Sequence, residues 1–169
     1  MPDFAEAPSI HIEVVSFRDP EVLGLLDALT AELAGAGYTT SETFGYTVEQ
    51  LEQSSVHLVA ARVDGTLVGL GGLELQDDRT GELKRFFVTP ECRGAGVADA
   101  IIAALIDHAV DHDVDRLRLE TGDKQLAAMA FYRRHGFVVV PRFGPYVNSA
   151  TSVCMERALT DGGASRAGA

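Results

Sequence analysis

Residues 88–98, Val-Thr-Pro-Glu-Cys-Arg-Gly-Ala-Gly-Val-Ala, decide how the rest of the chain is read. An apolar strand, residues 82–88 (ELKRFFV), runs into Thr89-Pro90, where proline removes a ladder donor. Gly94 and Gly96 follow. Beyond them Val97, Ile101 and Leu105, with Ile102, Ile106 and Ala109, repeat at helical spacing, which predicts a helix over residues 94–112. A helix start leaves backbone N–H groups unpaired and carries partial positive charge, so a strand–turn–helix of this kind is a natural seat for a phosphate or pyrophosphate. Glycines let such a ligand approach the backbone closely. A lone Gly-x-Gly is equally a turn that binds nothing, so the surrounding elements have to decide.

Upstream, residues 10–17 (IHIEVVSF) alternate as a strand. Asp19-Pro20 reads as an N-cap with proline at the first helical position, and Val22, Leu25, Leu26, Leu29 and Leu33 carry that helix until Gly35 and Gly37. A loop over 38–46 leads to a short helix opened by Thr47, with Gln50 at capping-box spacing. Residues 56–63 and 66–75 flank Asp64-Gly65, a hairpin signal, and a looser turn over 76–81 precedes the strand quoted above. Downstream, residues 116–121 read as a strand, 126–135 as a helix closed by Gly136, and 137–140 and 151–158 as two more strands. The expected fold is therefore α/β (α+β), a mixed and mostly antiparallel sheet of about seven strands flanked by four helices. Residues 1–159 are read as a single domain. The small polar tail, 160–169, buries too little surface to stay ordered.

Composition narrows the function. At 169 residues and 46% hydrophobic the chain can bury a sizeable core. Its formal charge of −11 repels phosphate backbones, so no nucleic acid is expected as a partner and any anionic ligand must be met locally. No run approaches the ~20 apolar residues that span a bilayer, so no membrane is expected either. The N-terminal residues lack a basic start and an apolar run, and the two cysteines, Cys92 and Cys154, lie far apart; a cytoplasmic protein in a reducing compartment fits. Walker A requires a lysine after the glycines, and the dinucleotide fingerprint requires a third small residue where Asp99 stands. Neither phosphate loop is present.

Arg93-Gly94-Ala95-Gly96-Val97-Ala98 resembles the acetyl-CoA signature of the GNAT superfamily of N-acetyltransferases, Gln/Arg-x-x-Gly-x-Gly/Ala. A second stretch, Ala128-Met-Ala-Phe-Tyr132-Arg-Arg-His-Gly136-Phe137, is similar to that family's Ala-x-x-x-Tyr-x-x-x-Gly-Phe. The runs LETG (119–122), FGPY (143–146) and SVCME (152–156) further resemble a branch of uncharacterised small-molecule acetyltransferases. The resemblance implies a GNAT-like acyl-CoA N-acyltransferase fold and acetyl-CoA as co-substrate. It implies that the amides of Gly94, Ala95, Gly96, Val97 and Ala98, with the Arg93 side chain, hold the diphosphate, and that strand residues Phe86, Phe87 and Val88 pair with pantetheine and present an N–H to the oxyanion. Gln125 stands where the family often has Asn against the pantetheine arm. Asp99 departs from the family's usual cation.

For direct transfer to an amine, a base must remove a proton from a group with a pKa near ~10.4, and one oxyanion N–H contributes about 3–4 kcal/mol. Glu82 and Glu120, at strand ends, are the candidate bases, with Glu74 a weaker third. Tyr132 is implied as the group facing the departing sulfur. A phenol near ~10 giving its proton to a thiolate near ~8.5 is uphill by about 2 kcal/mol, so hydrogen bonding is the expected role. Lys84, Arg85, Arg93, Arg133 and Arg134 supply positive charge in the two motif segments.

His108 and His112 have zinc-ligand spacing but lack the intervening Glu and a third ligand, so no metal is expected. Cys92 and Cys154 read as packing residues. The expected activity is acetyl transfer to a primary amine of a small molecule. A non-catalytic acetyl-CoA sensor and a protein amino-terminal or lysine acetyltransferase are the alternatives. Acceptor choice is expected to lie in loops 35–47 and 143–149. The oligomeric state is open, a homodimer through an edge strand being a common form for such sheets.

Overall fold

The computed structural model describes residues 7–43 and 47–159; the expected tail 160–169 and part of the 38–46 loop lie outside them. Strands β1 (Ile10–Val14), β2 (His57–Val63), β3 (Thr66–Leu75) and β4 (Thr80–Val88) form an antiparallel meander. β5 (Arg116–Gly122) joins β4 in parallel, and β6 (Val138–Val140) and β7 (Ser152–Ala158) complete one seven-stranded sheet of order β1-β2-β3-β4-β5-β7-β6. Among the described residues four α-helices cover it: α1 (Pro20–Gly35), α2 (Val48–Gln53), α3 (Val97–Asp111) and α4 (Leu126–Arg134).

Local chemistry sets these limits. Asp19 caps α1 by accepting from the Glu21 amide at 2.8 Å. Thr47 and Gln50 close a reciprocal capping box at α2. The first strand stops at Val14 rather than 17, since Phe17 turns under the neighbouring helix and is buried. The expected turn 76–81 is tighter: the Gln76 amide donates to the Thr80 carbonyl at 2.8 Å, so β4 gains residues 80 and 81. α3 begins at Val97 rather than 94, because Gly94 (φ +78°) and Gly96 (φ +85°) occupy left-handed backbone that a helix excludes.

Each face of the sheet has its own core. On one, Ile101, Ile102 and Leu105 of α3 pack with Leu73, Leu117, Phe137 and Met155. On the other, Val22, Leu25 and Leu51 from α1 and α2 pack with Leu58, Leu70 and Phe87. Each such fully buried side chain contributes about 1.5–3 kcal/mol over exposure. β4 and β5 are thus clamped between two helical layers, and the site lies where these strands part.

Candidate active site

β4 and β5 pair only at Thr80↔Arg116, Gly81↔Leu117 and Glu82↔Arg118. Beyond Glu82 they diverge. β4 stays attached to β3 through Leu70↔Phe87 and Gly69↔Val88, and β5 stays attached to β7 along its whole length. Each strand therefore has an edge facing the other without a partner strand, and a cleft of about 470 Å³ opens there. Phe86, Phe87 and Val88 form one wall, and Leu119, Glu120 and Gly122 the other.

One end of the cleft is built from backbone. The first α3 bond runs from the Ala100 amide to the Gly96 carbonyl, at 3.0 Å, so the amides of Val97, Ala98 and Asp99 precede the helical ladder. Gly94, Gly96 and Ala98 line the cleft, whereas the Val97 side chain anchors α3 in the core. Ala95 is exposed on the same turn. Arg93 lines the cleft but is tied to the scaffold: its Nε donates to the Val88 carbonyl at 3.0 Å and its Nη2 to Glu32 of α1 at 2.8 Å. Asp99 faces His135 at 2.7 Å, so the acid in the first turn of α3 meets the C-terminus of α4. Gln125, the N-cap of α4, also lines the cleft.

The other end is built from side chains. Glu82 is buried and committed: Tyr146 Oη donates to its Oε1 at 2.6 Å and Gln76 Nε2 to its Oε2 at 3.0 Å. Lys84 Nζ lies 3.6 Å from Glu82 and 3.5 Å from Glu74. Glu120 lies on β5 two residues beyond Arg118, the last position paired with β4. Burial pushes its carboxyl up to about 7, against a hydrogen bond from Ser152; Glu82 adds to the rise, and Arg85 and Lys84 oppose it. Tyr132 is buried with its ring edge-on to Phe86 and Phe137, and burial, reinforced by Glu120, holds its phenol above the ordinary range.

The rim next to α1 is latched. Tyr38 Oη donates to Asp123 at 3.1 Å and accepts from the Lys124 amide at 2.6 Å. Its ring covers Gly122, where a Cβ would collide with the phenol.

The structure thus brings Tyr132, Glu120 and the two motif segments to one cleft, while Glu82 is buried behind its wall, bonded to Tyr146. Sequence reasoning missed the Tyr146–Glu82 bond, the burial of Lys84 and the Tyr38 latch. Lys84, grouped by sequence with the other cations of the two motif segments, has a side chain only 6% exposed. FGPY was a visible signal at Tyr146, but its partner lies 64 residues away. Arg133 and Arg134 are exposed on α4. Away from the cleft, His108 stacks on His57 at 3.5 Å between centroids and 2° between planes, and lies 4.1 Å from the His112 ring. Among the described residues no group of three His, Cys, Asp or Glu side chains is placed to hold a metal ion. Burial pushes the Cys154 thiol up, which suits packing rather than nucleophilic attack. No helix among the described residues is long and apolar enough to cross a membrane.

A mixed sheet whose parallel central pair opens over a helix N-terminus is the fold of acyl-CoA N-acyltransferases. A Klebsiella pneumoniae structure described as an acyl-CoA N-acyltransferase superposes with a TM-score of 0.77 at 34% identity, covering 89% of this chain and 98% of that one. A PaiA N-acetyltransferase from Thermoplasma acidophilum, in complex with coenzyme A, gives 0.71 at 20% identity over 89% and 99%, and supports the fold alone. An IAA acetyltransferase of Azospirillum brasilense is 31% identical over 153 residues, 90% of this chain and 99% of the relative. The family model described as the acetyltransferase (GNAT) family matches residues 25–137. The chain belongs to the acetyltransferase (GNAT) family and is an acyltransferase enzyme.

Proposed function

We propose that the protein transfers an acetyl group from acetyl-CoA directly to the primary amine of a small molecule, with Glu120 as general base. The observation that carries this reading is the Glu120 carboxyl, held at about 7 on the wall of the strand-separated cleft. A base is most effective when its pKa lies near the working pH. At pH 7 this group is divided between a form that takes a proton and one that has taken it.

The residues present fit the co-substrate. The amides from Gly94 to Ala98 form an anion seat at the α3 N-terminus, suited to a diphosphate. The free edge of β4 at Phe86–Val88 offers main-chain groups to a pantetheine arm and an N–H to a developing oxyanion, a contact of about 3–4 kcal/mol. The Gln125 amide reaches the same arm from α4. Arg93 holds the turn against α1 through Glu32. Acetyl-CoA, when bound, supplies the activated thioester carbonyl.

Proton and bond changes then balance simply. The N–C bond forms as the C–S bond breaks, Glu120 takes the proton leaving the amine nitrogen, and the sulfur departs as thiolate. Tyr132, whose phenol resists ionisation, donates a hydrogen bond to that thiolate, which takes its proton from water on release. Glu82 is a positioning residue: held by Tyr146 and Gln76, it fixes the loop carrying Tyr146 and raises the Glu120 pKa.

The test is thiol release from acetyl-CoA across a panel of primary amines, paired with calorimetry. The expected result is amine-dependent release, reduced in Tyr132→Phe with acetyl-CoA binding retained. Binding without release for any amine overturns the reading in favour of a sensor, and release with peptides alone moves it to a protein acetyltransferase.

A further inference from the structure

Each turnover leaves a proton on Glu120, and the carboxyl has to lose it before the next. With acetyl-CoA and an acceptor in the cleft, the side of Glu120 that lines it is closed to water. The neighbouring strand on the other side is β7. Glu120 stands directly opposite Cys154, and Gly122 opposite Ser152. Alternation puts Glu120, Cys154 and Ser152 on one face of the sheet, with Ser152 the diagonal neighbour, within reach of a long side chain. Leu119 and Met155 take the other face, in the core beneath α3.

Ser152 is buried, and its hydroxyl meets two oxygens. One belongs to the Glu120 carboxyl, in a hydrogen bond that favours the ionised form. The other is Ser149 Oγ, at 2.7 Å. A hydroxyl has one proton and two lone pairs, so it donates to one partner at a time and accepts from the other. Towards an ionised Glu120 it is the donor. Once Glu120 is protonated the carboxyl becomes the donor, and Ser152 turns its own proton to Ser149. Ser149 is half-buried on the 143–149 loop, between exposed Asn148 and Ala150. Arg142 holds this corner, its Nε donating to the Ser152 carbonyl at 2.9 Å and its Nη2 to the Ala150 carbonyl at 3.2 Å.

The other titratable neighbours suit the task less. Lys84 and Arg85 of β4 act on Glu120 as cations, which hold their protons at neutral pH. Burial raises the phenols of Tyr132 on α4 and Tyr38 after α1, and the thiol of Cys154 on β7. Glu82 already accepts from Tyr146 and Gln76.

We propose that Ser152 and Ser149 form a proton relay that returns Glu120 to its carboxylate form after each transfer. This inference rests on the reading of Glu120 as base. The Glu120 proton passes to Ser152 Oγ as the Ser152 proton passes to Ser149 Oγ and the Ser149 proton passes to water. Each serine ends with one O–H bond, as it began, and one proton reaches solvent. Both are positioning residues, acting through Glu120 rather than on substrate.

The experiment measures thiol release at saturating acetyl-CoA and amine, across pH, in dilute and in concentrated MOPS, a tertiary-amine buffer with no N–H to acetylate. Wild-type kcat is expected to be indifferent to buffer concentration. Ser149→Ala should lower kcat in dilute buffer by about 3- to 10-fold, the worth of one hydrogen bond, with KM and acetyl-CoA affinity by calorimetry unchanged. Concentrated MOPS should restore the rate, and Ser149→Thr, which keeps a hydroxyl, should restore it without buffer. Ser152→Ala should in addition move the acid limb from about 7 to higher pH, by about 1 unit, because the bond lost favoured the carboxylate. A wild-type rate that climbs with buffer, a Ser149→Ala rate equal to wild type in dilute buffer, or a loss that buffer does not restore overturns the relay and leaves acetyl transfer intact. An acid limb that survives in Glu120→Gln overturns the base assignment and the relay with it.

Discussion

The two ends of the cleft are made of different material. At the α3 end the atoms proposed to hold the co-substrate belong to the main chain: the amides after Arg93 and the edge of Phe86–Val88 that faces β5. At the Glu120 end they are side chains brought together from β4, β5 and the 143–149 loop, with hydrogen bonds that span 64 residues of sequence. The first end depends on local conformation, the second on tertiary pairing. Substitutions should therefore separate them.

The largest effect is expected at the side-chain end. Glu120→Gln removes the proposed base, and kcat/KM should fall by about 10²- to 10⁴-fold, with acetyl-CoA affinity by calorimetry unchanged. The pH profile sharpens the point. The wild-type rate should decline as pH falls through about 7, where the Glu120 carboxyl takes up its proton, and this acid limb should vanish in the variant. A retained limb would assign it to another group and dissolve the contrast.

Tyr146→Phe comes next. It deletes the 2.6 Å bond to buried Glu82, and a buried acceptor deprived of a partner costs about 1–3 kcal/mol. At about 2–4 °C per kcal/mol for a chain of this size, Tm should drop by several degrees. A variant as stable as the wild type would mean that the network at this end holds nothing together.

At the backbone end, Gly96→Val places a β-branched residue at φ +85°. The left-handed backbone costs about 1–2 kcal/mol; whether the turn opens or stays strained, KM for acetyl-CoA should rise about 5- to 30-fold with kcat little altered. A change confined to kcat would show that this turn serves the chemistry rather than the grip.

The smallest effect lies outside the cleft and serves as a control. Burial lowers the pKa of both His57 and His108, with neighbouring imidazoles adding to it. The folded chain thus prefers them neutral, while the unfolded chain takes up protons near 6.5. Stability should fall as pH drops from about 6.5 towards the lowered values, in urea melts, and His108→Gln should flatten that slope. The change should appear in stability without shifting the rate limb assigned to Glu120.

The same contrast explains what the sequence revealed. Gly94, Gly96 and the apolar repeat from Val97 are local signals, and they marked the strand–turn–helix that leads into α3; local periodicity likewise gave the seven strands in chain order, while their order in the sheet was not legible. Residue type alone could not separate Glu82 from Glu120. That difference follows from tertiary contacts: Tyr146 and Gln76 reach Glu82, while Glu120 stands on the cleft wall. Lys84 and Arg85, adjacent and both basic, were equally indistinct, because a bulge that flips one side chain is set by register against β3. The end of α3 was misjudged by three residues at its start for a local reason, the two left-handed glycines.

Tyr38 links these two ends to the loop that follows α1. Because its phenol is pinned to Asp123 and Lys124 over Gly122, the start of the segment after α1 is moored beside the end of β5. Insertions or exchanges farther along that segment can reshape the acceptor's entrance while the carboxyl at its base stays where it is. New specificities could thus evolve on this scaffold without rebuilding its catalyst.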